Sequence, residues 1–80
     1  MTSGEAVAMR IIQLCEQNHI TLNKLSTISG ITQSTLNNII NTGSKNPTVS
    51  TVKKICDGLE ITLADFFDDK LFTSLDKEVK

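Results

Sequence analysis

Residues 22–40 have the sequence LNKLSTISGITQSTLNNII, in which two short helical patterns flank a glycine. Thr21 and Thr32 each precede one pattern, and a threonine there can accept a hydrogen bond from a free N–H of the first turn. Gly30 can adopt the left-handed conformation that a tight turn between helices requires. The stretch therefore predicts two helices joined by a tight turn. Their apolar positions are Leu22, Leu25 and Ile28 in the first helix and Leu36, Ile39 and Ile40 in the second.

The turn between these helices, Ser29-Gly30-Ile31, has the length found in a helix-turn-helix. This motif needs a small residue where the helices approach and an apolar anchor in the second helix, which Ser26 and Leu36 provide. Such a pair can place its second helix in the DNA major groove, where the N-terminal residues reach the base edges. The pattern therefore favours a DNA-binding function.

The second helix carries an unusual density of small amide and hydroxyl side chains. These residues are mediocre helix formers because they compete with the backbone for hydrogen bonds. With the apolar positions turned inward, the polar side chains must lie outside, where amides can bond adenine in two places and hydroxyls can bond several base edges. The alternative is a solvated face without a partner. The predicted base contacts are Gln33, Ser34, Asn37 and Asn38.

Phosphate contacts are expected at the flanks of this helix, because the helix itself lacks Lys and Arg. Free N–H groups at the start of the preceding helix can receive a phosphate, and the loop before Pro47 offers further polar groups. Since cations are few, each protomer should neutralise only about 2–4 phosphates, and a dimer that reads two half-sites would strengthen binding. The predicted phosphate contacts are Thr21, Asn23, Thr35, Asn41, Lys45 and Asn46.

The net charge of −1 does not by itself indicate a nucleic-acid binder. Its distribution is more informative, because residues 10–54 carry five basic side chains and one acidic one, a balance of +4. Residues 57–80 carry three basic and seven acidic side chains, a balance of −4. One half of the chain can therefore face an anion while the other half faces away.

Helical spacing continues on both sides of this region, and no strand alternation persists. A first helix is predicted to run to about Asn18, with Thr2 and Glu5 spaced as a capping box. Thr48 and Thr62 are predicted to cap a fourth and a fifth helix, after a loop that ends at Pro47. Residues 76–80 are expected to fray. The predicted fold class is all-α, with five helices.

A chain of 80 residues is expected to form one domain with a small core. We expect a single helix-turn-helix domain over residues 1–80, with a core of about 5–68 and a C-terminal extension of 69–80. The C-terminal apolar stripe exceeds what so small a domain can easily cover, which indicates a homodimer interface. The alternative is that the stripe completes the core of the monomer. The predicted interface residues are Phe66, Phe67, Leu71, Phe72 and Leu75.

Composition and residue types weigh against several other classes of protein. Cys15 and Cys56 lie in apolar stripes and form no CxxC pair, so we interpret them as reduced core residues of a cytoplasmic protein. A single histidine and the lack of a nucleophile–base constellation argue against an enzyme. We expect no cofactor, no metal site, no catalytic residue and no association with a membrane.

The sequence resembles the Xre family, the Cro and C1 repressor type of helix-turn-helix domain. The resemblance covers about Arg10–Phe67 and rests on LNKLSTISGITQSTLNNII, SKNPTVSTVKKICDGL and ITLADFF. It implies a five-helix domain that binds operator DNA, usually as a homodimer, to regulate transcription. At matching positions it implies base contacts by Gln33, Ser34 and Asn38 and phosphate contacts by Thr21, Leu22, Asn41, Lys45 and Asn46.

Two features of the sequence depart from the family pattern. Many members have Gln at the position of Leu22, and a leucine side chain cannot hydrogen-bond a phosphate. Many members also pair an Arg with a Glu where this chain has Cys15 and Ile40. An apolar pair can replace a buried ion pair at little or no cost, so the fold is expected to tolerate the change.

Two functions fit these observations. The first is a sequence-specific transcriptional regulator, in the form of a repressor that binds a two-fold-symmetric operator on double-stranded DNA as a homodimer. The second is a protein-interaction module of the same fold, such as the antitoxin half of a toxin–antitoxin pair. In that case the acidic, apolar C-terminal part would bind a partner protein.

Overall fold

Each of the five α-helices in the described part of the chain begins directly after a threonine. The structure, a computed structural model, describes residues 1–42 and 47–79. Each threonine Oγ1 accepts a hydrogen bond from the backbone N–H three residues later, at 3.0–3.2 Å. A cap of this kind stabilises a helix by about 1 kcal/mol. The predicted caps are all confirmed: Thr2, Thr21, Thr32, Thr48 and Thr62.

The predicted all-α fold class is confirmed for the described residues, which contain five α-helices, one 3₁₀ turn and no β-strand. None of these helices has the length and apolar character needed to cross a membrane. The bounds are α1 Ser3–Gln17, α2 Leu22–Ser29, α3 Gln33–Thr42, α4 Val49–Leu59, α5 Leu63–Phe67 and a 3₁₀ turn Lys70–Phe72.

Two of the caps are reciprocal. The Glu5 carboxylate accepts a hydrogen bond from the Thr2 backbone N–H at 2.9 Å, which confirms the predicted capping box. The Asp65 carboxylate likewise accepts a hydrogen bond from the Thr62 backbone N–H at 3.3 Å. The hydrogen bond from the Thr2 backbone lowers the pKa of Glu5 below its ordinary value, because it favours the charged carboxylate.

The buried core draws side chains from all five helices. Cys15 and Cys56 are buried free thiols, as the sequence predicted, and burial raises the pKa of both because it disfavours the thiolate. Ile20, Ile31, Ile40 and Phe72 pack against the core from its edge. The core members are Val7, Ala8, Ile11, Leu14, Cys15, Leu25, Leu36, Ile39, Val52, Ile55, Cys56 and Phe66.

Phe66 is completely buried within its own chain, so the expectation that it contacts a partner is wrong. Its ring lies 5.0 Å from Phe67 and 6.2 Å from Phe72, measured between ring centroids. Phe67 is 43% exposed, and Leu71, Phe72 and Leu75 are half-buried. The C-terminal stripe therefore completes the monomer core in part, which the sequence left as an alternative.

Arg10 is buried on α1 and points into the fold, where it is 7% exposed. Its Nε donates to the Phe66 carbonyl at 2.7 Å, and Nη2 donates to the Asp65 carbonyl at 2.8 Å. Nη1 donates to Gln13 and lies 3.5 Å from the Asp69 carboxylate. A guanidinium at the C-terminal end of α5 satisfies the Phe66 carbonyl and gives a second donor to the Asp65 carbonyl, which also accepts the Asp68 backbone N–H at 3.3 Å. Arg10 therefore joins α5 to α1.

Because Arg10 points inward, residues 10–54 expose less positive charge than the balance of +4 counted from the sequence. Arg10 was counted among the five basic residues of the +4 half, but its guanidinium is enclosed by the carbonyls and carboxylate around α5. The sequence held a signal for this burial, because Arg10 lies three residues after Val7 and four before Leu14, both of which are in the core. The cations on the surface are therefore fewer than the sequence indicated.

The polypeptide after α5 differs from the predicted continuation of the apolar pattern. Helix α5 ends at Phe67, and the Asp69 carboxylate accepts the Leu71 backbone N–H at 3.0 Å to begin the 3₁₀ turn. That hydrogen bond is the main cause of a lowered pKa of Asp69, with Gln13 and Arg10 adding to it. The ionised Asp69 therefore stabilises the fold above its ordinary pKa of 3.8 and loses this effect on acidification.

The segment after the 3₁₀ turn packs back on the start of α1. The Asp76 backbone N–H donates to the Met1 carbonyl at 3.0 Å, and the Asp76 carboxylate lies 3.4 Å from the Met1 ammonium. Ser3 donates to the Glu78 carboxylate at 3.1 Å. Asp76 and Glu78, in the segment expected to fray, therefore contact the start of α1.

Helices α2 and α4 cross where both backbones are close. A Cβ atom added at Gly58 would lie 2.6 Å from the Ser29 hydroxyl oxygen and 3.0 Å from the Ile28 carbonyl oxygen. The Ser29 hydroxyl is buried and has no hydrogen-bond partner in the described residues. Gly58 is thus required by packing, and the left-handed end of α4 falls two residues later, at Glu60.

We predict that Arg10→Met lowers the free energy of unfolding by about 2–4 kcal/mol in urea denaturation, because the Phe66 carbonyl loses its buried donor and the Asp69 carboxylate loses its cation. Methionine keeps the apolar stem and removes only the charge and the N–H groups. Lys54→Met, on the exposed face of α4, is the control and should change the value by less than about 0.5 kcal/mol. Equal stability of Arg10→Met and the parent would contradict this role of Arg10.

We also predict that Gly58→Ala lowers the free energy of unfolding by about 1–3 kcal/mol, because the new methyl group overlaps α2. Ser29→Ala alone should be neutral or slightly stabilising, since it removes a buried hydroxyl without a partner. The double substitution should lose less stability than Gly58→Ala alone. If the loss of stability in the double variant equals the sum of the losses in the two single variants, the Ser29 hydroxyl does not oppose the methyl group.

Candidate nucleic-acid interface

Helices α2 and α3 meet at a tight turn around Gly30. Gly30 has a φ of 69°, in the left-handed region, which confirms the predicted turn. The Ile31 backbone N–H donates to the Ser26 carbonyl at 3.2 Å, and the Ile31 side chain packs against the core. Ser26 is 5% exposed, and its hydroxyl donates to the Asn23 carbonyl at 2.8 Å. A buried small residue here allows the close approach that the motif needs.

Core packing fixes which side of α3 faces inward. Leu36 is 1% exposed and Ile39 is 4% exposed, and Ile40 is half-buried against the same core. The polar side chains are consequently on the opposite side, and each of those predicted to contact DNA is exposed. These exposed residues on α3 are Gln33, Ser34, Thr35, Asn37, Asn38 and Asn41. The predicted outward position of the amides is confirmed, and their contacts with bases stay a prediction.

The first residue of α3 is held by α2. The Gln33 side-chain Nε2 donates to the Oδ1 of Asn23, across the turn. A cleft of about 170 Å³ lies between the two helices at this point, with Leu22, Leu36 and Asn37 as its other walls. Asn23 and Gln33 are both exposed, so the linked amides lie at the surface that the motif presents.

The start of α2 offers a second set of groups for an anion. Thr21 and Asn23 are exposed, as their predicted phosphate contacts require, and the Thr21 hydroxyl accepts the Lys24 N–H at 3.0 Å. The first N–H groups of a helix have no partner within it and point toward solvent. Lys45 and Asn46, also predicted to contact phosphate, lie outside the described residues.

The two departures from the family pattern have a structural basis. Leu22 is half-buried and packs against the core, so its side chain is not directed at a phosphate. Cys15 is 5% exposed within the core, and Ile40 packs against that core. The position of the usual ion pair is therefore occupied by apolar packing, as the sequence indicated.

Positive charge around α3 is modest in the described residues. Lys24 on α2 and Lys53 and Lys54 on α4 are exposed. Lys53 pairs with the Asp57 carboxylate one helical turn away, which reduces its availability to a phosphate. Among the described residues, the surface around α3 therefore offers more amide and hydroxyl groups than positive charge.

The geometry above defines the chain as a helix-turn-helix DNA-binding domain. A family model described as the Cro/C1-type HTH DNA-binding domain matches residues 10–70, three quarters of the chain. The protein belongs to the Cro/C1-type helix-turn-helix family, as the sequence predicted. This is a family of DNA-binding regulators and not of enzymes, in agreement with the sequence analysis.

Solved structures support this assignment. The prophage Lp1 protein 11 is 36% identical, with a TM-score of 0.82 over 94% of this chain and 99% of that one. An HTH_3 family transcriptional regulator from Vibrio cholerae is 25% identical, with a TM-score of 0.76, covering 85% of this chain and 38% of that one.

The restriction–modification controller protein C.Esp1396I is 23% identical, with a TM-score of 0.77 over 91% of this chain and 95% of that one. At this identity the likeness concerns the fold alone. A comparison with curated proteins found no match.

Proposed function

We propose that this protein is a sequence-specific transcriptional repressor that binds a two-fold-symmetric DNA operator as a homodimer. The observation that carries the proposal is the outward amide face of α3, which is anchored in the core by Leu36 and Ile39. A helix anchored in this way can enter a major groove as a rigid unit. Membership of the Cro/C1-type family supports DNA as the partner.

Base recognition is assigned to the N-terminal half of α3. Gln and Asn can bond adenine in two places, and Ser can bond several base edges. Gln33 and Asn37 lie one helical turn apart, as do Ser34 and Asn38, so the four side chains can reach adjacent base pairs. Each bidentate contact provides about 1–3 kcal/mol of discrimination between bases. Operator preference should therefore depend on few residues.

Phosphate binding is assigned to the elements beside α3. Thr21 and Asn23 lie at the N-terminal end of α2, where free N–H groups favour an anion. Asn41, at the other end of α3, is exposed and can reach the backbone of the same groove. Few cations take part, so affinity for DNA of random sequence should be low. This supports binding by two protomers together.

The dimer interface is assigned to an apolar patch between the start of α4 and helix α5. Val49 is 74% exposed and Phe67 is 43% exposed, and both border a small apolar cavity of about 130 Å³. We call Pro47, Val49, Leu63 and Phe67 the α4–α5 patch. The sequence analysis proposed Phe67 for this role, and we add Val49, which lies three residues before Val52 on α4, because it is exposed.

The base-reading assignment predicts that Gln33→Ala and Asn38→Ala each reduce operator discrimination. The operator is first selected from random DNA, and binding to it is then compared with binding to single-base variants by fluorescence anisotropy. Each variant should lose about tenfold in preference at one base pair of each half-site, since it removes one base contact. Gln17→Ala, the same change at an exposed position of α1, should leave every preference unchanged.

Unchanged preferences in both variants would contradict the base-reading role of α3. A parent protein that selects no DNA sequence, but retains a stoichiometric partner protein, would instead favour the protein-interaction module.

The dimer assignment predicts that Val49→Asp converts a dimer into a monomer in analytical ultracentrifugation. A carboxylate at residue 49 resists burial in the α4–α5 patch against a second protomer, so the dimer is disfavoured. Residue 49 is also the first position of α4, where an acidic side chain is stabilised by the helix dipole, so the monomer should stay folded. Val79→Asp is the control, because Val79 is 90% exposed and lies outside the patch. A Val49→Asp protein that sediments like the parent dimer would exclude this interface, and a monomeric parent would exclude the homodimer.

A further inference from the structure

The outer face of α1 carries two apolar side chains between two acidic ones. Met9 is 47% exposed and Ile12 is 39% exposed, and Glu5 and Glu16 are exposed on either side of them. These residues are spaced by four, three and four positions, so they form one row along the helix. The two carboxylates are about 16 Å apart along the helix axis. We call Glu5, Met9, Ile12 and Glu16 the α1 row.

A cleft beside the α1 row extends its apolar centre. The cleft has a volume of about 290 Å³ and lies between α1 and the end of α3. Its walls include Met9 and Ile12, the buried Ala8 and the half-buried Ile40. Asn41 also lines it, whereas the described residues around it do not include those assigned to base contacts. A partner that covers the α1 row would therefore leave the base-contacting side chains of α3 uncovered.

The charge of α1 makes this surface selective. Arg10 is the only basic residue of α1, and its guanidinium is buried against α5, so the exposed face of the helix presents carboxylates and no cation. Glu5 stays ionised at neutral pH, because the hydrogen bond from the Thr2 backbone holds its pKa below the ordinary value. A carboxylate favours a positive group placed opposite it and repels a negative one. The α1 row therefore fits a partner with an apolar centre and basic ends.

A second copy of this chain does not have that pattern. Two α1 rows packed together would place acid opposite acid at both ends, whether the helices ran parallel or antiparallel. Helices α2 to α5, within the described residues, present no exposed apolar pair between two basic residues. The two lysines of α4 are adjacent, and Lys53 is already paired with Asp57. Charge complementarity therefore indicates a different protein.

We propose that the α1 row is a docking site for a helix of another protein, which presents two apolar side chains between two basic ones. The apolar pair packs on Met9 and Ile12 at the cleft, and the basic ends pair with Glu5 and Glu16. A spacing of four, three and four residues reads the same in both directions, so the partner helix can run parallel or antiparallel to α1. The flexible thioether of Met9 can adapt to the shape of the partner. The inference goes beyond the proposed function, since this face is separate from the amide face of α3 and from the α4–α5 patch.

The test uses a synthetic alanine-based peptide of about 18 residues, long enough to form a helix. It carries arginine, leucine, leucine and arginine at the spacing of the α1 row, and the control peptide has glutamate in place of both arginines. Each peptide is titrated into the isotope-labelled protein and followed by NMR. The arginine peptide should shift the backbone amide signals of the α1 row, with a Kd on the order of 0.1–1 mM. The glutamate peptide should bind about tenfold more weakly.

Two variants with the same change of charge test the position of the site. Glu16→Lys should weaken the arginine peptide about threefold to tenfold, because it replaces an attraction by a repulsion. A lysine in the last turn of α1 is favoured by the helix dipole, so this variant should stay folded. Glu60→Lys, at an exposed position after α4, should change the affinity by less than about twofold. A peptide with one arginine and one glutamate should bind Glu16→Lys more tightly than the parent, since both of its ends then find an opposite charge.

The docking site would be overturned by absence of binding, by equal affinity for the arginine and glutamate peptides, or by amide shifts centred on the acidic C-terminal segment. Signals of the α1 row that shift with protein concentration, without any peptide, would identify a second copy as the occupant and would also overturn it. The titrations contain no DNA, so a failure of base recognition by α3 would leave them unchanged. The two proposals can therefore fail separately.

Discussion

The burial of Leu36 and Ile39 is the constraint on which the DNA-facing surface depends. Burying two such side chains stabilises the fold by about 1.5–3 kcal/mol each, and rotation of α3 about its axis would lose both. The glycine turn fixes the distance from α2 to α3 at the same time. Because packing stabilises α3, the helix can carry amide and hydroxyl residues that would be poor choices for an isolated helix. The side chains that can read DNA are thus compatible with the fold.

Charged side chains in this protein make contacts in the interior as well as on the surface. Arg10 uses its guanidinium to hold α5 against α1, and Lys53 is paired with Asp57. Attraction to DNA through net charge is correspondingly weak, since affinity from phosphate neutralisation grows with the number of cations engaged. Under the proposed function, discrimination comes from hydrogen bonds at base edges and affinity comes from a second protomer. The proposed roles of the α3 amides and of the α4–α5 patch complement each other in this way.

Features that depend on neighbouring residues could be predicted from the sequence, and those that depend on distant ones could not. The threonine caps and the Gly30 turn are local, because the groups that interact lie within three or four residues. Arg10 binds carbonyls 55 and 56 residues away, and Phe66 is buried among side chains of the other helices. The Asn23–Gln33 link needs the angle between two helices, which periodicity does not provide. Local signals therefore predicted the helices and the outward face, while the contacts between elements required the structure.

The two buried cysteines give the protein a built-in chemical reporter. Alkylating reagents attack the thiolate, and burial of Cys15 and Cys56 both shields the sulfur atoms and raises their pKa. Modification by iodoacetamide therefore requires opening of the fold, since neither thiol is accessible in the native state. The rate of alkylation, followed by mass spectrometry, then measures the population of open molecules. A ligand that binds only the folded form would slow that reaction, so labelling could rank DNA fragments without attaching a dye to either molecule.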